Sequence, residues 1–274
     1  MKLRCDKQMS DEYANKRGRE MSGDVPFICV MVKSSTIIEA STMPAIDRSL
    51  VIGVPIFAEC SSEMIDDILR DARSTHIAKN SNVFEQGENA DFFFLLLHGR
   101  VKAYRLTPAG EQVVIRFIAP GEMFGVAMAI GRDAYPATAV AVVDCVVIAW
   151  PTGAWPGLLA RHPALAVNAM QTLGARLQES QLRVMEMSTE EVERRVAHAL
   201  LRLANQGGRK TDEGILIDFP ISRQDIAQMT GTTLHTVSRI MSAWETAGLV
   251  SSGRQKVVIR DPHKLYLLAE SSET

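Results

Sequence analysis

An α+β fold is predicted for this chain of 274 residues: an antiparallel β-roll of the jelly-roll kind toward the N-terminus, a long central helix, and a C-terminal winged helix-turn-helix. Three observations predict it. Gly87, Gly99, Gly110 and Gly121 recur every eleven or twelve residues between short apolar runs, as in strands turned by glycine. The stretch ALAVNAMQTLGARLQESQLRVMEM, opened by His162-Pro163, holds few helix breakers and exceeds an average helix in length. Finally, FPISRQDIAQMTGTTLHTVSRIMSAWETAGLV, from Phe219 to Val250, places caps, a turn glycine and apolar residues at the spacing of two short helices joined by a tight turn.

Length and composition bound the reading. At roughly 100–200 residues per domain the chain has room for two domains, and with 46% apolar residues each can bury a core. The net charge of −2 and pI near 6.3 carry no bulk sign of a polyanionic partner, so any such contact must rest on local charge. Between Phe219 and Lys264, Arg223, Arg239, Arg254, Lys256, Arg260 and Lys264 stand against Asp225, Glu245 and Asp261, a modest excess that permits nucleic-acid contact. Cys5, Cys29, Cys60 and Cys145 are scattered, with no C-x-x-C pair or zinc spacing, and read as thiols of a reducing compartment. The basic start MKLR leads into a polar run, and Val25 to Val32 falls far short of the ~20 residues of a membrane span. A cytoplasmic protein without membrane contact is expected.

In chain order, residues 1–45 are polar or irregular and are expected to form a disordered extension, with Met21, Met31 and Met43 as alternative starts. Residues 46–160 hold the β-roll. Ser61 or Ser62 caps a short helix, EMIDDILRDA, and FFFLLLHG, RVKAYRLTPAG and EQVVIRFIAPG come next as strands. The long helix covers 161–188. Its Leu173, Leu177, Val184 and Met187, preceded by Ala166 and Met170, form part of an apolar seam that fits either an intramolecular core or a contact between two copies. Residues 189–274 form the last domain. Ser188-Thr189-Glu190-Glu191 reads as a capping box for EEVERRVAHALLRLAN, which ends at Gly207-Gly208, and GILIDF supplies a strand.

Ser222 caps the first helix of the helix-turn-helix, with Asp225 in the reciprocal position and Ile221, Ile226 and Met229 on its core face. Thr230-Gly231-Thr232 forms the turn, and Thr232 or Thr233 caps the second helix. There Leu234, Val237, Ile240, Met241 and Trp244 make the apolar stripe, leaving Thr233, His235, Thr236, Ser238 and Arg239 to face a partner, as a recognition helix faces base edges. The same spacing fits an ordinary helical hairpin with a solvated polar face. After Val250 the segment SSGRQKVVIR reads as strand, Ser-Gly turn and strand, a wing carrying Arg254, Lys256 and Arg260.

With these motifs, residues 189–260 resemble the winged helix-turn-helix of the cyclic-AMP receptor/fumarate-nitrate regulator family of bacterial transcription factors, and the likeness extends back to about residue 50. The family's recognition helix carries Glu-x-x-Ser-Arg or Glu-x-x-Gly-Arg. Here those places hold His235, Ser238 and Arg239, and His in the first resembles the nitric-oxide-responsive regulators of denitrification, the NnrR and Dnr type. The resemblance implies a β-roll that senses an effector, a homodimer joined by the long helix, and an activator that meets RNA polymerase at palindromic DNA with TTG-type half-sites. It implies DNA contacts from Arg223, Thr232, Thr233, His235, Thr236, Ser238 and Arg239. An oxygen-, redox- or cyclic-nucleotide-responsive regulator of the same family, or a ligand-binding module without a DNA role, are the alternatives. No phosphate loop, nucleophile elbow or metal cluster points to an enzyme.

The effector is less legible. Cyclic-nucleotide members place a Glu after the Phe-Gly of the roll and an Arg about ten residues later; this chain has Val126 and Tyr135, with Arg132 near by in sequence. Loss of the guanidinium removes the charge-assisted pair to a buried phosphate, which argues against a cyclic nucleotide. Only Cys145 lies in a roll position suited to an iron–sulfur cluster, and Cys5 and Cys29 are too far apart to chelate one. Haem is the cofactor left open, with His76, His98, His162 and His198 as available ligands, although a lone His is more often a hydrogen-bonded structural residue. Phe92, Phe93, Phe94, Met123, Phe124 and Met128 fit an apolar pocket or an ordinary core.

Overall fold

The computed structural model describes residues 46–270; the extension expected over 1–45, with Cys5 and Cys29, lies outside them. A short helix α1 (Ser62–Leu69), capped by the Ser61 hydroxyl, precedes eight strands: β1 (Arg73–Ile77), β2 (Asn82–Phe84), β3 (Phe92–His98), β4 (Val101–Leu106), β5 (Gln112–Ile118), β6 (Met123–Phe124), β7 (Thr138–Ala141) and β8 (Cys145–Pro151). They form two antiparallel sheets, in the orders β1-β8-β3-β6 and β2-β7-β4-β5, which face each other as the predicted roll. At the β3–β4 turn Gly99 has φ +96°, and a Cβ there would lie 2.5 Å from the Asp144 carbonyl oxygen. Helices α2 (Trp155–Arg161), α3 (Pro163–Thr189) and α4 (Val192–Gly207) come next. The chain ends with β9 (Gly208–Thr211), β10 (Gly214–Ile217), α5 (Arg223–Thr230), α6 (Leu234–Thr246), β11 (Val250–Gly253), β12 (Lys256–Ile259) and α7 (Pro262–Glu270).

Three apolar clusters layer the molecule. Between the two roll sheets lie Phe84, Phe94, Leu96, Val101, Ile118 and Phe124. On the outer face of the first sheet, Phe93, Leu95, Ile148 and Trp150 meet Ile65 and Ile68 of α1, Leu158 of α2 and Leu165 of α3. Strand alternation thus sends adjacent phenylalanines to opposite faces. The six residues proposed for one apolar pocket do not share one: Phe94 and Phe124, with Phe92 against them, lie inside the roll, Phe93 and Met123 on the helix side, and Met128 is exposed.

The third cluster crosses the expected domain boundary. Val114 and Phe117 of β5 sit in the same core as Val196 and Leu200 of α4, Ile226 of α5 and Val237 of α6. An ion pair reinforces the contact, with Lys102 Nζ 2.8 Å from Asp225 Oδ1 and both side chains largely buried. Burial pushes the Asp225 carboxyl up, but Lys102 and the hydroxyl and N–H of Ser222 together outweigh it and hold the group below its ordinary value. A folded value below the unfolded one stabilises above the ordinary carboxylate range and is lost as pH falls through the folded value. Lys102→Met is therefore expected to cost up to about 3 kcal/mol at neutral pH. In thermal unfolding the gap to wild type should close as pH drops below about 4. A gap that does not change with pH would remove the pair from the stability account.

Two junctions depart from expectation. Ser188 and Thr189 do not cap α4; α3 continues through both, and their hydroxyls donate back to the carbonyls of Val184 and Met185 at 2.8 Å. Such i−4 bonding satisfies the hydroxyls within the helix, and Glu191 becomes the N-cap of α4 without a side-chain bond. The wing turns at Arg254 and Gln255, not at Ser-Gly: Gly253 pairs with Lys256, and Gln255 takes the left-handed conformation at φ +58°.

Candidate nucleic-acid interface

The helix-turn-helix is built from its caps. The Ser222 hydroxyl accepts from Asp225 N at 3.0 Å, and Asp225 Oδ2 accepts from Ser222 N at 3.0 Å, so the capping box closes in both directions. Gly231 ends α5 at φ +61°, and a Cβ there would stand 2.6 Å from Met187 Cε. The turn glycine thus serves both the backbone and the end of α3. Thr233 caps α6: its hydroxyl accepts from Thr236 N at 3.1 Å and lies 2.9 Å from the Thr236 hydroxyl.

Val237, Ile240, Met241 and Trp244 fix α6 by burial, and Trp244 Nε1 donates to Glu193 of α4 at 2.7 Å. The opposite face carries His235 and Arg239, both exposed, with Thr236 and Ser238 partly buried beside them. Arg239 has no ion pair among the described residues, and a neutral imidazole at His235 offers a base edge one donor and one acceptor. Leu234 departs from its expected place on the core stripe: it is 47% exposed and absent from the core cluster. As the first residue of α6 it lies at the end of the stripe.

The remaining expected contacts are placed differently from one another. Thr232 is half-buried in the turn. Arg223 opens α5, and its Nη2 donates to Ser252 Oγ at 2.9 Å and reaches Glu245 Oε1 at 3.4 Å, while Ser252 N donates to Glu245 at 3.0 Å. This brace ties α5, the end of α6 and the wing together, a link across residues far apart in sequence that spacing could not reveal. Arg254, Lys256 and Arg260 are exposed on or beside the wing without ion pairs among the described residues. The arrangement is a polar helix face with one free guanidinium, flanked by a basic hairpin, suited to base edges and phosphates respectively.

The roll interior is filled. Tyr135 stacks on Phe84 with ring centroids 3.8 Å apart, and Phe94 and Phe124 stack beside them. The Tyr135 hydroxyl donates to Phe92 O at 2.7 Å and accepts from Phe92 N at 3.3 Å, and burial pushes its pKa up to about 12. Arg132 is exposed. Of the four candidate haem ligands, His76 and His98 are exposed, His162 bonds Asp67 at 2.7 Å, and His198 faces Glu190 at 3.5 Å. None lines the aromatic interior, so these residues do not fit a haem there. Among the described residues no group of three or more His, Cys, Asp or Glu could hold a metal ion, and no helix is long and apolar enough to cross a membrane.

Comparison with known proteins agrees with this architecture. The cyclic nucleotide-binding domain family matches residues 74–162, and the Crp-like helix-turn-helix domain family matches residues 194–268. The chain is 31% identical to the cyclic AMP receptor protein of Thermus thermophilus over 209 residues, which is 76% of this chain and 94% of that protein. Among solved structures, a Crp-family transcriptional regulator of Thermus thermophilus superposes with a TM-score of 0.62 at 26% identity, covering 72% of this chain and 97% of that one. FixK2 from Bradyrhizobium japonicum superposes with a TM-score of 0.65 at 23% identity, covering 74% and 99%, and shares the fold.

Proposed function

The chain belongs to the Crp/Fnr family of transcription factors, and on that premise we propose that it is a cytoplasmic, homodimeric regulator that binds palindromic DNA and performs no catalysis. The observation that carries the reading is Arg239, exposed and unpaired among the described residues on the outer face of α6, beside the exposed Arg254, Lys256 and Arg260. A dimer that sets two such helices in successive major grooves needs half-sites about 34 Å apart. Selection from a pool of random duplexes should recover a palindrome with TTG-type half-sites at that spacing. Recovery of no common sequence would end the proposal.

The finer reading, an activator of nitrogen-oxide or denitrification genes that responds to nitric oxide and engages RNA polymerase, is supported by His235, which stands where most members carry Glu. In vitro transcription from a promoter carrying the selected site, with and without nitric oxide, tests it. Cyclic AMP, named in the Thermus relative, is not part of the proposal, because Tyr135 and Phe84 occupy the interior and Val126 replaces the acidic residue.

Exposed Leu234 joins the reading surface as an apolar contact for a thymine methyl group. Replacing the contacted thymine with uracil should weaken wild-type binding about fourfold, near the ~0.8 kcal/mol of one buried methyl-sized group, and leave Leu234→Ala unaffected. Equal losses for both proteins would return Leu234 to a structural role.

A further inference from the structure

We infer that Arg254, at the tip of the wing, enters the minor groove beside each half-site and gives the protein a preference for A·T pairs there, at positions α6 does not reach. The pairing of Gly253 with Lys256 leaves Arg254 and Gln255 as the loop residues of the β11–β12 hairpin. Both are exposed. Gln255 holds the left-handed conformation at φ +58°, which is unfavourable for a residue other than Gly or Asn and persists only where the surrounding structure imposes it.

What imposes it here is a set of ties from the tip back to both helices. Ile221 N, just ahead of the Ser222 cap of α5, donates to Gln255 O at 3.2 Å. On the other strand Ser252 N donates to Glu245 of α6 at 3.0 Å, and Arg223 of α5 donates to the Ser252 hydroxyl at 2.9 Å. At the base of the hairpin Val257, Val258 and Ile259 are buried. The wing is therefore held against the helix-turn-helix, with its tip beside the N-terminal end of α5.

That placement selects the part of the duplex Arg254 meets. With α6 in the major groove, the first helix of the motif crosses the sugar–phosphate backbone. A hairpin pinned beside the start of that helix overhangs the bounding strand, and the minor groove lies beyond it. Chemistry then separates the two cations of the tip: the planar, weakly hydrated guanidinium of Arg254 suits a narrow groove, whereas the strongly hydrated ammonium of Lys256 suits a phosphate. A·T runs narrow the minor groove and deepen its negative potential, which favours an inserted Arg, while G·C pairs place the guanine N2 amino group in its path. No carboxylate among the described residues pairs with Arg254 to hold it back. On a random duplex Arg254 is a phosphate contact like Lys256 and Arg260; at the operator it also reads the flank. The inference deepens the regulator reading and rests on it for the seating of α6.

Fluorescence anisotropy tests it on the palindrome recovered by selection, with the pairs flanking each half-site set to A·T, G·C or I·C. Inosine lacks the N2 amino group, so I·C keeps the major-groove acceptors and donor of G·C and presents the minor-groove face of A·T. Wild type should bind A·T and I·C flanks about tenfold more tightly than G·C flanks. Arg254→Ala should bring that ratio below about twofold while unfolding at the wild-type temperature, and Arg254→Lys should recover affinity without recovering the ratio. Equal affinity of the wild type for G·C and I·C flanks overturns the inference, as does a ratio that survives in Arg254→Ala and so belongs to DNA flexibility. A scrambled duplex run alongside keeps the two readings apart. Specific binding with indifference to the flanks refutes the minor-groove contact alone, and absence of specific binding refutes the regulator reading and this inference with it.

Discussion

Replacing Leu177 and Val184 together with Glu is expected to convert the protein to monomers and to lower its affinity for a palindromic operator by about a thousandfold or more, to the non-specific level. Met170, Leu177 and Val184 are spaced by seven residues along α3 and are 64%, 60% and 66% exposed. A strict heptad row left in water on a helix of 27 residues is the pattern of a two-stranded seam. Two carboxylates per chain would face their copies across a two-fold axis and have to be desolvated together. The seam is not the one expected from the sequence in every member: Leu173 is half-buried near Val126 and Trp155, while Leu177 is exposed. Sedimentation of the double variant reads the result, and a dimer that persists would show that α3 is not the contact between copies.

Arg239→Ala is expected to weaken operator binding by about 1–3 kcal/mol, between fivefold and more than a hundredfold, with little change on a random duplex. The buried neighbours Ile240 and Met241 hold the Arg239 backbone in place, and no carboxylate among the described residues draws its guanidinium aside. The fork is therefore available to the O6 and N7 of a guanine. Arg223→Ala acts differently. Because Arg223 is held by Ser252 and Glu245, its loss should loosen the wing and lower thermal stability along with affinity. An Arg239 variant that loses affinity equally on operator and random DNA would reduce that residue to a phosphate contact.

The sequence showed most clearly what is local. The turn glycines of the roll, Gly231, the Ser222–Asp225 box and the Thr233 cap are settled within three or four residues, and each is found where its spacing put it, whereas the Ser-Gly turn of the wing is not. Helix periodicity misplaced Leu234: as the first residue of α6 it keeps the phase of the stripe, yet it is half exposed and outside the core cluster. The Ser188-Thr189 pair fits a cap and a helix interior equally well as sequence; continuation of α3 decided between them. Long-range features had no sequence signal: Lys102 meets Asp225 across 123 positions, and β5 lends Val114 and Phe117 to the core of the C-terminal domain. The same holds for Tyr135, whose departure from the Arg of cyclic-nucleotide members was readable, though its stacking on Phe84 was not.

Fluorescence anisotropy of one labelled palindromic duplex against a scrambled duplex of equal length, at two salt concentrations, tests the central claim most directly. Sequence-specific binding by a dimer predicts a preference for the palindrome of at least about a thousandfold. Binding to both duplexes should weaken as salt rises, because phosphate contacts by Arg254, Lys256 and Arg260 release counterions. Equal affinity for the two duplexes, or no binding to either at low salt, would contradict the account.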